Sequence, residues 1–239
     1  MSIPILMYHQ IDEPPPRGEP MRGLVVSPQS FARQMALLKY MGYTGLSMRD
    51  LEPYLRGDKR GKVVGLTFDD GYRNNLHHAL PVLARRGFSA TCYGVSSMFG
   101  GTNAWDQHLG IAKKPLMDTQ DWLRWLDAGM DVGSHTCTHA ALTKIPFDQA
   151  RQEIVQSKIV LEHALSCEVR HFCYPYGWFG PEHMEMVKEA GYITATTTQR
   201  GRVHANQDLY ALKRIMVARA THLGLFAAKV ITRYEDNRA

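Results

Sequence analysis

Short solid runs of apolar residues alternate about seven times with longer stretches whose apolar positions recur every three or four residues. Such runs read as strands covered on both faces, and the stretches between them as helices lying on a parallel sheet. Residues 3–8 form the first run, followed by a Pro-rich segment, 13–20, too rigid and polar to be core. A helix is expected over 30–41, with Phe31, Met35 and Leu38 on one face and Gly42 ending it. Ser47 is placed to cap a second helix carrying Leu51 and Leu55, and KVVGLTF at 62–68 reads as the next strand. A helix over 74–86 should bend at Pro81, ahead of a strand at 89–95.

Residues 96–115 are Gly-rich and irregular, long enough to suggest a functional loop. Helix 119–128, a short strand at 130–133, a long amphipathic helix at 147–165 and a strand at 169–174 follow. Pro181 and Gly191 bracket another helix, strands are expected near 192–197 and 213–217, and the last helix runs over about 221–234. Parallel strands with right-handed crossovers follow from this order. No repeat, low-complexity tract or linker interrupts it, so residues 1–239 read as one α/β domain. No Gly-rich phosphate turn follows the first strand, which favours a closed or slightly open barrel over a doubly wound sheet.

Composition narrows the classes of function. With 239 residues, the folded surface should be roughly 10,900 Å², so neither disulfides nor a metal is needed merely to fold. The formal charge of +5 admits an anionic partner, a membrane surface or a phosphate-bearing substrate, but no block of like charges argues for nucleic acid. Cys92, Cys137, Cys167 and Cys173 contain no CxxC pair, which suits a reduced interior. The first residues lack a basic segment and a cleavage site, and no 18-residue apolar run exists, so the expected location is the cytoplasm.

Three motifs carry chemistry. Thr67-Phe68-Asp69-Asp70-Gly71 ends an apolar strand, where α/β active sites collect. Alternation points one carboxylate inward and leaves the other beside it after the Gly71 turn; by itself the pair could equally be a cap and a turn residue. Gly133-Ser134-His135-Thr136-Cys137-Thr138-His139 again follows a short strand. Two imidazoles with one carboxylate make a three-ligand set that leaves a position open for water. No Glu lies between the histidines, so the base must come from elsewhere, and the second Asp is available. Cys137 points away by alternation. The third motif, Arg170-His171-Phe172-Cys173-Tyr174-Pro175-Tyr176-Gly177, leads a strand into a turn able to present a backbone N–H. Buried, Arg170 would require a carboxylate.

Together, TFDDG, HTCTH and RHFCYPYG resemble the polysaccharide deacetylase family, also called NodB-homology or carbohydrate esterase family 4, in its order from about Leu66 to Gly177. The resemblance implies a distorted (β/α)7-type barrel, one divalent metal, and removal of acetyl from an N-acetylated amino sugar. It makes Asp69 the general base, Asp70, His135 and His139 the metal ligands, and Arg170 the residue orienting Asp69. The Tyr176 N–H would meet the oxyanion. Zinc is the first choice of metal, with nickel, cobalt or iron also compatible.

The family's usual late motifs are not evident, and Asp118-Thr119-Gln120-Asp121-Trp122 has such a spelling but precedes the second motif; it reads as a helix start with Trp122 in the core. The N-terminal ILMYHQI is instead similar to a branch whose barrel is circularly permuted, which makes His9 the acid, with His222 the alternative. Trp105, Asp106 and Trp178 are candidate sugar contacts, whereas His77 and His78 read as a solvated helix face. A soluble oligosaccharide or nucleotide-linked sugar, or an amino sugar linked to a lipid phosphate at the inner membrane face during surface-polysaccharide or lipid A assembly, suits a cytoplasmic protein, and the positive charge favours the phosphate-bearing options. A carbohydrate-binding protein without turnover and a metallohydrolase of another amide or ester are the competing functions.

Overall fold

The computed structural model describes residues 2–238. Its accessible surface, 10615 Å², is close to the area expected from chain length. The strands are β1 (Ile5–Tyr8), β2 (Gln10–Ile11), β3 (Val25–Val26), β4 (Thr44–Leu46), β5 (Val63–Phe68), β6 (Thr91–Gly94), β7 (Asp131–Ser134), β8 (His171–Cys173), β9 (Thr194–Arg200) and β10 (Leu212–Met216). The α-helices are α1 (Pro28–Tyr40), α2 (Met48–Leu55), α3 (Leu80–Ala84), α4 (Thr119–Asp127), α5 (Phe147–Leu165), α6 (Pro181–Glu189) and α7 (Leu223–Ile231).

Seven parallel strands close a barrel in the order β1-β10-β9-β8-β7-β6-β5, because β1 pairs with both β10 and β5. The first strand of the chain thus seals the last against the middle. Closure is uneven: β5 pairs with β6 only through Thr67 and Phe68, while its first three residues pair with β4. The short strands β2 and β3, which periodicity does not reveal, pair with each other beside the barrel.

Alternation separates two apolar regions. Leu6 and Tyr8 of β1, and Leu66 and Phe68 of β5, face outward into the main core with Phe31, Met35, Trp122 and Trp125 from the helices. Ile5, Tyr93, Cys173 and Leu212 belong to a smaller cluster filling the barrel. Gly133 is required there: a Cβ on it would stand 2.3 Å from the Tyr93 ring. Ser47 caps α2 as expected, and Asp118 with Asp121 forms a capping box on α4, leaving Trp122 1% exposed. The helix expected over 74–86 is instead a wide π turn, Asn75–Ala79, running into α3. Pro81 has no N–H to return to the preceding turn, and the wider turn absorbs its ring.

Candidate active site

In a parallel barrel every strand delivers its C-terminal residue to the same rim. That rim receives His9 after β1, Asp69 and Asp70 after β5, His135 and His139 after β7, and Tyr176 after β8. All six line one cavity of about 200 Å³. A larger opening of about 580 Å³, lined by Tyr54, Arg60 and Val203, contains no carboxylate and none of these residues.

Asp70, His135 and His139 converge. Asp70 Oδ1 lies 3.4 Å from His135 Nε2 and 3.3 Å from His139 Nε2, and one ligand atom from each falls within 4.8 Å of the others. His135 Nδ1 meets the Cys173 carbonyl at 2.8 Å; since a carbonyl only accepts, Nδ1 carries a proton and Nε2 is the atom turned toward Asp70. Burial lowers the pKa of His139, toward the neutral imidazole a ligand must be, whereas at His135 burial is outweighed by the Cys173 and Asp70 side chains, which raise it and hold a proton that binding a cation would displace. Burial opposes ionisation of Asp70, but hydrogen bonds from the two histidines outweigh it and hold its pKa far below the usual range. One buried carboxylate and two imidazole nitrogens gathered within 4.8 Å of one another fit a divalent cation with borderline-soft preferences.

The backbone is bent to make this possible. Asp70, Thr136, His139 and Tyr176 adopt φ of 76°, 67°, 62° and 59°. Left-handed backbone costs a non-glycine residue about 1–2 kcal/mol, and its concentration at one rim marks a functional arrangement. Buried Glu153 of α5 holds the HTCTH turn: Oε2 accepts the Cys137 and Thr138 N–H groups at 2.8 and 2.9 Å, and Oε1 the Thr138 hydroxyl at 2.7 Å. Nothing in the motif itself pointed to Glu153. Cys137 offers its thiol to the Glu153 carbonyl and belongs to no group of converging ligand atoms among the described residues.

The expectation that Arg170 orients Asp69 is overturned. Arg170 precedes β8 and so lies at the opposite end of the barrel, where its Nη2 binds Glu52 at 2.8 and 3.1 Å. Arg214 takes the place beside Asp69. It projects from the middle of β10 into the barrel, and Nη1 and Nη2 each meet one Asp69 oxygen at 2.7 Å. Its Nε donates to the Thr197 carbonyl at 2.8 Å, and Nη1 also reaches Thr67 Oγ1 at 3.0 Å. Burial pushes the Asp69 carboxyl up, but the Arg214 charge and its hydrogen bonds prevail and hold it below the ordinary carboxylate range. A signal was available: in LKRIM, alternation puts Arg214 on the same face as buried Leu212.

His9 Nε2 stands 4.0 Å from Asp69 Oδ2, on the open side of the cavity. Fully buried Asn75 fixes its backbone, donating to the His9 carbonyl at 2.7 Å and accepting from Ile11 N at 3.0 Å. His222, the alternative acid, caps α7 through Leu225 N and does not line the cavity.

Tyr176 presents a backbone N–H that meets no acceptor among the described residues. The turn depends on Gly177, with φ 70°, where a Cβ would lie 1.9 Å from Thr198 Oγ1.

The aromatic sugar contacts are corrected in part. Trp105 stacks on His139 with centroids 4.7 Å apart, so one face is occupied supporting a ligand. Trp178 packs at a tilt against Tyr176, with ring centroids 5.1 Å apart, and carries Lys144 over its ring, outside the cavity. Asp106 does line the cavity, and its pKa is raised by burial and by the Asp70 charge. His77 and His78 are exposed.

The sequence model of the polysaccharide deacetylase family matches residues 56–195. The chain belongs to that family. It is therefore grouped with hydrolases of carbon–nitrogen bonds other than peptide bonds. The match includes Asp69, Asp70, His135, His139 and Tyr176 but omits β1 with His9 and β10 with Arg214. A poly-beta-1,6-N-acetyl-D-glucosamine N-deacetylase of Staphylococcus epidermidis is 26% identical over 231 residues, 89% of this chain and 78% of that protein. A polysaccharide deacetylase from Bacillus cereus is 30% identical, with a TM-score of 0.80 over 96% of this chain and 69% of that one. The Streptococcus pyogenes deacetylase PplD, solved with acetate, is 25% identical, with a TM-score of 0.83 over 96% and 98% of the two chains.

Proposed function

We propose that this family member is a metal-dependent N-deacetylase that hydrolyses the acetamido group of an N-acetylated amino sugar. The observation carrying the reading is the Arg214-locked Asp69 carboxylate placed between the Asp70–His135–His139 set and His9. A divalent cation held by that set, with zinc the first expectation, would lower the pKa of a water and polarise the acetyl carbonyl.

Asp69 takes the proton of the attacking water. Because Arg214 keeps it ionised, it is ready to do so at neutral pH. Water oxygen bonds to the carbonyl carbon, and the developing negative charge meets the Tyr176 N–H, a donor already in place before the reaction. The carbon–nitrogen bond breaks as His9 gives its proton to the departing nitrogen, which would otherwise leave as an unstable amide anion. Acetate and a free amine result. The N-deacetylase activity of the S. epidermidis relative, the deacetylase activity of the S. pyogenes one and the acetate bound to the latter support the reaction class.

The test is acetate release from N-acetylglucosamine oligomers, run beside metal analysis, for the unaltered protein and for Asp69→Asn. Metal-loaded unaltered protein that releases no acetate from any N-acetylated sugar would overturn the reading.

A further inference from the structure

The cavity holding the reactive groups, about 200 Å³, is smaller than the ~300 Å³ at which small-molecule pockets usually begin. It takes the acetamido end of one sugar, so the rest of the substrate must lie over the rim. That rim has a distinct side. Met21 and Leu24, in the segment between β2 and β3, and Met216, at the end of β10, line the cavity mouth, with Met21 and Met216 47% and 38% exposed. Arginines are interleaved with them: Arg22 lies between Met21 and Leu24, and Arg219 three residues beyond Met216.

Hydrogen bonds draw these segments together. Arg219 N donates to the Gly23 carbonyl at 2.8 Å, and Arg22 Nε reaches back to the Pro15 carbonyl at 2.5 Å, folding the Arg17 turn onto the same side. None of Arg17, Arg22 and Arg219 forms an ion pair among the described residues. Of the acidic groups nearby, Asp12 is committed to Lys114, while Glu13 and Glu19 are exposed. The pKa of Arg22 is pulled down by desolvation and by the Arg219 and Arg17 charges, as expected for like charges held together without a counter-ion.

We infer that this arginine cluster reads an anionic substituent, a phosphate ester or a carboxylate, carried by the amino-sugar substrate close to its acetamido group. The inference rests on the proposed N-deacetylase reading and names its substrate class. Guanidinium groups from two segments match the several oxygens of one such anion. Three charges on segments whose neighbouring residues line the opening suit one anionic group and are too few and too local for a nucleic-acid track. The flanking methionines supply adaptable apolar contact for the remainder of the substrate.

Binding separates this inference from the reaction itself. Dissociation constants would be measured by calorimetry for N-acetylglucosamine 1-phosphate and for methyl N-acetylglucosaminide, with acetate release followed on both. The unaltered protein should bind the phosphate ester about five- to tenfold more tightly at low ionic strength, a factor within reach of two exposed charge contacts. The preference should shrink in ~1 M salt, where charges are screened within about 3 Å. In the Arg22→Gln/Arg219→Gln protein the ratio should fall toward one. Equal binding of both sugars by the unaltered protein, or a preference that survives in the double variant, overturns the inference. So does arginine-dependent binding to anionic lipid vesicles with no preference between the sugars, which would make the cluster a membrane contact. Acetate release from the neutral sugar with equal binding leaves the deacetylase reading standing. A binding preference without acetate release from either sugar removes that reading and keeps the anion site.

Discussion

Arg214 grips both carboxylate oxygens of Asp69, each at 2.7 Å, the residue being 1% exposed inside the barrel. The pair links the last strand to the middle one. Removing only the arginine would leave a buried charge without compensation, at a cost of about 3–5 kcal/mol. Arg214→Gln should therefore lower the thermal midpoint sharply. Asp69→Asn/Arg214→Gln should recover part of the loss, because no isolated charge remains. Thermal unfolding of the two single variants and the double closes the cycle, and additive losses would contradict the coupling.

Metal content distinguishes the neighbouring aspartates. Asp70→Asn and His135→Ala should lose the divalent ion. Asp69→Asn should retain it while turnover falls by about 10²–10⁴, the range for loss of a general base. Metal analysis after dialysis, paired with acetate release, reads both effects. Loss of metal from Asp69→Asn would exchange the assignments.

Asn75 acts through His9. An Asp at that position could still accept from Ile11 N but would repel the His9 carbonyl that Asn75 now holds at 2.7 Å. A small displacement of a proton donor costs about 10–10² in rate, so Asn75→Asp should lower kcat by that factor with metal content unchanged. Adding it to His9→Ala should cost little more, since the group it positions is already gone. A full further loss in the double variant would assign Asn75 to folding alone.

Glu153 supports a ligand-bearing turn without touching the ligand atoms. Outer partners of this kind are worth about 10–100-fold in metal affinity. Glu153→Ala should weaken metal binding in that range, measured by competition with a chelator, and Glu153→Gln should restore part of it by accepting one of the two N–H groups. Unchanged affinity in Glu153→Ala would show that the turn is held by its own backbone.

Asp131, at the start of β7, gives a stability signature unconnected with catalysis. Burial raises its pKa to about 6, although Thr91 Oγ1 donates to it at 2.6 Å. Unfolded, the carboxyl titrates near 3.9. Between these values the native state holds the proton and the unfolded chain does not, so rising pH removes stability, up to roughly 3 kcal/mol by pH 7. Below the unfolded value, both states are protonated and the penalty vanishes. Asp131→Asn should be stabilised relative to the parent by an amount that grows from pH 4 to pH 7 and then levels off. A gap independent of pH would remove Asp131 as its source.

The reaction type was legible in the chain because its determinants are local. TFDDG and HTCTH each sit where an apolar strand stops, and strand polarity alone sends both to one rim of a parallel sheet. Helix limits followed from caps and periodicity, as at Ser47 and over Phe147–Leu165, whereas the two-residue strands β2 and β3 are too short to have a period. Partnerships across the barrel were decided only in three dimensions. Arg170 and Arg214 both lie beside plausible strands, and linear order cannot tell a residue at the entrance of a strand from one whose side chain reaches its far end inside a closed barrel. The seam made by β1 chose between them: it lies between β5 and β10, bringing His9 and Arg214 to Asp69 and leaving Arg170 to Glu52 at the other end. Motif spacing specified which groups could react, while strand closure determined which of them meet, since charge pairing depends on distance in space and not along the chain.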